Sequence, residues 1–202
     1  MNKVARVLIV TSNLSSASDM REKGMANLAK SILESCQAAD LNVDLLNLDS
    51  DVPENFFQEV NNRDSIVIEY QIRFQRADLI IFIYPIKLGQ VPSKIKYFLE
   101  LILARGFSYN IMRNQIEGLF PDKAMWSIAI TDLPAWKVNT VWGNGHTNWW
   151  KRIVREYSGS KIKTWILPNW RSISEDKIIS WQVKFSKIIT DLNNNQNLLE
   201  LI

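Results

Sequence analysis

Hydrophobic positions follow two rhythms in this chain, and the rhythms alternate from one end to the other. Val4 to Thr11 is an apolar, valine-rich run. Met25, Leu28, Ala29, Ile32 and Leu33 then recur at helical spacing. Leu41 to Leu48 begins by alternating and reads as a second strand. Ile66 to Arg76 carries Ile68, Ile72 and Phe74. Leu79 to Tyr84 is apolar without alternation, the pattern of a strand buried on both faces. Pro85 ends it, and Ile86 to Val91 is a loop. Pro92 opens a helix carrying Ile95, Phe98, Leu99 and Ile102. Ile111 to Asp122 reads as a long connection, Lys123 to Ile130 as a fourth strand and Lys161 to Leu167 as a fifth. A helix from Thr147 to Tyr157 with an apolar stripe of Trp149, Trp150, Ile153 and Val154 lies between them. A last helix starts at Ser174 to Asp176 and gives way to a frayed tail at Asn193 to Asn197.

Strands alternating with helices build a parallel sheet through right-handed crossovers. The expected fold class is therefore α/β, a parallel sheet with helices on both faces in one domain spanning 1–202, and five strands suggest the doubly wound order 2-1-3-4-5. Ligands in such sheets sit at the carboxyl ends of the strands, where the strand order reverses. Three loops reach that edge. Ser12 to Asp19 holds four serines, and Ser18 or Asp19 is placed to cap the following helix. Serine hydroxyls and the free N–H groups of a helix's first turn suit a phosphate, although a capped serine-rich loop has the same composition. The second loop is Ile86 to Val91. The third, Thr131-Asp132-Leu133-Pro134-Ala135-Trp136, reads either as a ligand loop or as a proline turn beside a buried tryptophan.

Several pieces of this pattern stand in the order of a known signature: Ala77-Asp78, the apolar strand, Tyr84-Pro85, Pro92, Lys96, and Gly106-Phe107-Ser108-Tyr109. In this the chain resembles the flavodoxin-like NAD(P)H:quinone oxidoreductases. The third loop looks like that family's T-M-D-T-P-x-W form, with Asp132, Pro134 and Trp136 matching. The resemblance implies a site formed by Asn13, Ser15, Ser16, Ala17 and Ser18, by Pro85, Ile86, Lys87 and Leu88, and by Thr131, Asp132, Pro134 and Trp136. It implies FMN, or FAD as in some members, with NAD(P)H as hydride donor and a quinone or similar acceptor reduced by two electrons. It also implies a homodimer, with Phe107 to Tyr109 near the junction. This chain departs from the family in the first loop, where Asn13 and Ser16-Ala17-Ser18 stand for a histidine and a Ser-Phe-Asn. It departs again at Lys87 and Leu88, where the family has tryptophan, and at Asp122-Lys123, where the family often has Gly-Lys.

Composition narrows the alternatives. A net charge of +3 without clustering does not call for nucleic acid, and Lys151, Arg152 and Arg155 read as a solvated helix face. The single cysteine, Cys36, excludes an internal disulfide, fits a reducing, cytoplasmic setting and reads as a packing residue. No apolar run reaches the ~20 residues of a membrane span. A lone histidine, His146, in a Gly-Asn-Gly turn is expected at the surface and argues against histidine metal sites and a Ser-His-Asp triad. G-x-G-x-x-G is absent, so a dinucleotide fingerprint is not supported. A tryptophan-rich C-terminal half, with eight tryptophans in the chain, supplies flat aromatic surface for a pocket or a core. Two classes of function remain open: a flavin-dependent oxidoreductase, or a non-catalytic regulatory subunit on the same fold.

Overall fold

The structure, a computed structural model, describes residues 5–12, 20–52 and 64–194. The polar stretch Asp49 to Asp64 reads from its sequence as a loop with a short helix, Glu54 to Val60; that helix, the capping residues Ser18 and Asp19, Val4 and the tail beyond Asn194 lie outside the described residues. In chain order the elements are β1 (Arg6–Thr11), α1 (Met20–Ala38), β2 (Asn42–Asn47), α2 (Ser65–Arg76), β3 (Leu79–Pro85) and α3 (Ser93–Ile102). A small hairpin follows, β4 (Tyr109–Met112) and β5 (Gln115–Gly118), and then β6 (Ala124–Ile130). A π-helical turn (Lys137–Val141), α4 (Gly145–Asn148), a second π-helical stretch (Trp149–Val154) and α5 (Arg155–Ser158) lead to β7 (Lys161–Leu167). A 3₁₀ turn (Trp170–Ser172) and α6 (Glu175–Asn194) follow.

The main sheet has the order β2-β1-β3-β6-β7, and all its neighbours are parallel. Counted without the hairpin strands, this is the expected 2-1-3-4-5. Every residue of β3 from Leu79 to Tyr84 is buried. Ile80, Phe82 and Tyr84 pack into the apolar cluster under α2 and α3, while Leu79, Ile81 and Ile83 enter the cluster under α1 and α6. A strand enclosed this way has no polar face, which is why its sequence does not alternate. Each such side chain contributes about 2 kcal/mol by leaving water. Cys36 is fully buried in the α1 cluster, where packing is its role. Burial pushes its thiol up to about 12, so it stays protonated.

Both outer strands of the sheet carry charge. On β2, Asp44 accepts two hydrogen bonds from Arg73 of α2, at 2.7 and 2.6 Å, and the same guanidinium donates to the Leu45 carbonyl at 3.0 Å. On β7, Lys161 and Lys163 stand half-exposed, and the Lys163 ammonium lies over the Trp165 ring. Lys151, Arg152 and Arg155 are exposed, as a solvated helix face requires. Among the described residues, no helix is long and apolar enough to cross a membrane.

Two sequence expectations need correcting here. Ile111 to Asp122 is not an open connection, because most of it belongs to the antiparallel hairpin of β4 and β5. The hairpin turns on Arg113 and Asn114, both left-handed (φ 51° and 64°), where glycine is the usual signal. The helix expected from Thr147 to Tyr157 starts at Gly145, is π-wound through Trp149–Val154 and ends at Ser158. The segment Gln71 to Gln75 is part of a full twelve-residue helix, and buried Gln71 donates to the carbonyls of Leu101 and Ile102 at the end of α3.

The hairpin is seated by backbone on backbone. A Cβ added at Gly118 would lie 2.0 Å from the Gly159 nitrogen. Gly118→Ala should therefore cost about 2–3 kcal/mol through forced separation of the two chains, read as a lower urea midpoint with an unchanged denaturant slope.

Candidate functional site

The candidate site follows from the pairing of β1 with β3. Thr11 lies opposite Ile83, and the Ser12 amide donates to the Ile83 carbonyl at 3.3 Å. The loops after these two strands therefore leave the same rim of the sheet, side by side. Pro85 lies opposite Ile130, so the loop after β6 leaves beside them. The Ile86 amide donates to the Ile130 carbonyl at 2.7 Å and ties the second and third loops together.

The first loop carries the largest group of expected site residues. Asn13, Ser15, Ser16, Ala17 and Ser18 lie outside the described residues. Ser12, which leads into them, is fully buried, and its hydroxyl has no hydrogen-bond partner. A buried hydroxyl without a partner is costly. At the carboxyl end of β1, such a hydroxyl suits an anionic ligand group.

The second loop is a tight turn. Lys87 and Gln90 exchange amide-to-carbonyl hydrogen bonds of 3.1 and 2.9 Å. Leu88 and Gly89 between them are both left-handed, at φ 49° and 75°, which makes a type I′ turn. The amides of Leu88 and Gly89 take no part in the turn's own hydrogen bonds. Gly89 is required for two reasons: its φ, and the Trp142 ring, which a Cβ there would approach to 2.4 Å. Leu88 is 94% exposed at the tip, and Lys87 is exposed next to it.

The third loop is committed mostly to its own folding. The Thr131 hydroxyl accepts from the Leu133 amide at 3.2 Å, and the Thr131 carbonyl accepts from Trp170. Asp132 faces Arg171 at 3.8 Å. The Pro134 carbonyl accepts from Lys137 and Val138 and starts the first π-helical turn. Trp136 is 62% exposed, so it is not the buried tryptophan of a plain proline turn. With Val141 and Trp142, also exposed, it gives the wall over the second loop an apolar face.

His146 corrects the sequence reading outright. It is fully buried rather than at the surface. Asn144 is left-handed at φ 55° and turns the chain so that α4 enters the protein instead of leaving it. His146 Nε2 lies 2.8 Å from the Tyr84 hydroxyl and 3.3 Å from the Ser127 hydroxyl. Tyr84 and Ser127 are 2.7 Å apart, and Trp150 Nε1 donates to the Tyr84 oxygen. Burial pulls the imidazole down to about 4 and pushes the tyrosine hydroxyl well above its ordinary range, so both are neutral at pH 7. The only sequence signal for this cluster was a tyrosine at the end of an otherwise apolar strand, with a serine inside the fourth strand.

A separate groove of about 450 Å³ runs between α3 and the second π-helical stretch. Lys96, Glu100, Tyr109, Trp149, Ile153 and Tyr157 line it. Among the described residues, no group of three His, Cys, Asp or Glu side chains could hold a metal ion.

The family model for the flavodoxin-like fold matches residues 5–162. Several solved structures are similar across nearly the whole chain. An FMN-dependent NADH-azoreductase from Bacillus anthracis, solved with FMN, is 15% identical over 95% of this chain and 100% of its own, with a TM-score of 0.73. An NAD(P)H:quinone oxidoreductase from Methanothermobacter marburgensis is 14% identical over 94% and 98%, with a TM-score of 0.72. An NADH:FMN oxidoreductase in its apo form is 15% identical over 93% and 89%, with a TM-score of 0.61. At these identities the likeness is one of fold. No curated protein matches the chain in sequence.

Removing the tyrosine hydroxyl should leave the Trp150 N–H and His146 Nε2 buried without it. Tyr84→Phe is expected to lower stability at pH 7 by about 3 kcal/mol, measured as a shift of the urea midpoint.

Proposed function

Because the chain belongs to the family of the flavodoxin-like fold, we propose that it is an FMN-dependent NAD(P)H oxidoreductase that reduces a quinone or similar acceptor. One observation carries the reading: the unpartnered Ser12 hydroxyl and the turn of Leu88 and Gly89 follow neighbouring strands on the same rim of the sheet, where the strand order reverses. The azoreductase solved with FMN and the NADH:FMN oxidoreductase share this fold and support the same cofactor.

In this reading Ser12, Ser15, Ser16 and Ser18, with the amides from Asn13 to Ala17, hold the phosphate at the tip of α1. The amides of Leu88 and Gly89 offer donors to the polar edge of the ring, beside Pro85 and Ile86. Lys87 supplies positive charge near it. The exposed faces of Trp136 and Trp142 shelter the ring from water, with Thr131, Asp132 and Pro134 shaping the loop that carries Trp136. FMN held by these residues would supply the redox chemistry, a two-electron exchange between NAD(P)H and the acceptor. The net reaction is NAD(P)H, a proton and a quinone giving NAD(P)⁺ and the hydroquinone.

A second reading has its own support. Lys87 and Leu88 stand where tryptophan is usual, and the Thr131 hydroxyl is already engaged by Leu133. Both favour a non-catalytic regulatory subunit on the same scaffold. The groove lined by Trp149, Ile153 and Tyr109 fits the homodimer that either reading expects. The buried, protonated Cys36 fits a reducing, cytoplasmic setting.

The readings separate on the bench. Purified protein should absorb between 350 and 500 nm, or quench added FMN fluorescence at tens of micromolar, and should then oxidise NAD(P)H when a quinone is present. Ser16→Glu with Ser18→Glu should abolish FMN uptake. Absence of both colour and uptake would leave the non-catalytic reading. Light scattering should give twice the monomer mass, and Ile153→Glu should return it to the monomer.

A further inference from the structure

We infer that His146 is a positioning residue: it latches the wall of residues 136–150 onto the end of β3, and the latch opens when its ring takes up a second proton. The inference is independent of the flavin reading.

The wall crosses the rim of the sheet, and its outer face, with Trp136, Val141 and Trp142, is exposed. Beside the buried Trp150, whose indole also donates to Tyr84, three contacts hold it. The Trp142 ring lies against Gly89. The Gln90 side chain meets Gly145, where an added Cβ would come within 2.5 Å of its amide nitrogen. Between and beneath these, His146 enters the protein and meets Tyr84 and Ser127. Gly143 and Asn144, left-handed at φ 62° and 55°, precede the histidine and give the wall a hinge.

The hydrogen bonds around His146 are complete on one side only. Tyr84 accepts from Trp150, which leaves its own proton for Ser127 or for His146 Nε2. Both arrangements satisfy the Tyr84 side. Either tautomer leaves His146 Nδ1 buried without a partner, and the neighbouring Asn144 Oδ1 is likewise unpartnered. A second proton would place an N–H and a positive charge at Nδ1, a buried atom that has no hydrogen-bond partner in this packing.

The groups that touch the ring are Tyr84 from β3 and Ser127 from β6; Trp150 donates to the same Tyr84 oxygen, the Gln90 side chain meets Gly145, and Asn144 stands two residues before the histidine. None of these carries a charge at acid pH, because the Tyr84 hydroxyl ionises only far on the alkaline side. Burial alone lowers the imidazole to about 4. A histidine released into water returns to about 6.5.

The sign follows from this difference. The folded value lies below the free one, so the latched state loses ground as pH falls from about 6.5 to about 4. The open population should grow about a hundredfold between pH 7 and pH 4.

The chain holds one histidine, so its imidazole can be followed alone by NMR in the full-length protein. The ring should titrate near pH 4. Amide hydrogen exchange, corrected for its intrinsic pH dependence, should show residues 137–150 losing about a hundredfold in protection from pH 7 to pH 4 while β3 and β6 keep theirs. His146→Gln, which retains an N–H for Tyr84 and cannot titrate, should remove that loss; if this variant does not fold, the wild-type titration and exchange decide alone. An imidazole titrating near 6.5, a loss of protection shared equally by β3, or an unchanged loss in His146→Gln would overturn the latch.

Discussion

The backbone pairing of β3, with β1 on one side and β6 on the other, is the constraint on which the rest of this protein depends. A strand with neighbours on both edges and helices on both faces has no water to satisfy its polar groups, so every amide and carbonyl must find the ladder. That requirement fixes the register Thr11 to Ile83 and Pro85 to Ile130. The register in turn brings three loops from distant parts of the sequence to one rim. The candidate site is a by-product of satisfying the middle of the sheet.

The same strand carries a polar cluster in the core beneath that rim. Tyr84 ends a run of apolar residues, and its hydroxyl gathers Ser127, His146 and Trp150 from three other elements. A network of this kind rigidifies when its members are satisfied and is sensitive where one is not. Here the unsatisfied atom, His146 Nδ1, belongs to the segment that walls the site. Core packing and site geometry are therefore not separable around Tyr84.

Much of this was legible in the sequence, for definite reasons. The β3 run and the helix opened by Pro92 could be read because full burial removes alternation and a helix start tolerates proline. Alternating elements and crossover handedness gave the parallel sheet, and the strand order came from the flavodoxin-like pattern that five such strands suggest. The hairpin of β4 and β5 was missed because its residues are mostly exposed and its turn uses Arg113 and Asn114 in place of glycine. His146 was misplaced because Gly-Asn-Gly is a surface turn by composition. Its burial depends on Tyr84 and Ser127, which are 62 and 19 residues away. The Leu88–Gly89 turn was hidden for a similar reason, since its need for glycine comes partly from Trp142 across a tertiary contact.

The charges on the two outermost strands have a further consequence. A sheet that ends in unpaired strands is an open template on which another chain can add. On β2, Arg73 already occupies the Leu45 carbonyl that an incoming strand would need. On β7, Lys161 and Lys163 would bring like charges together if two such borders met. The width of five strands is thus enforced as well as encoded, and growth toward a fibril is discouraged at both borders by side chains that take no part in the site.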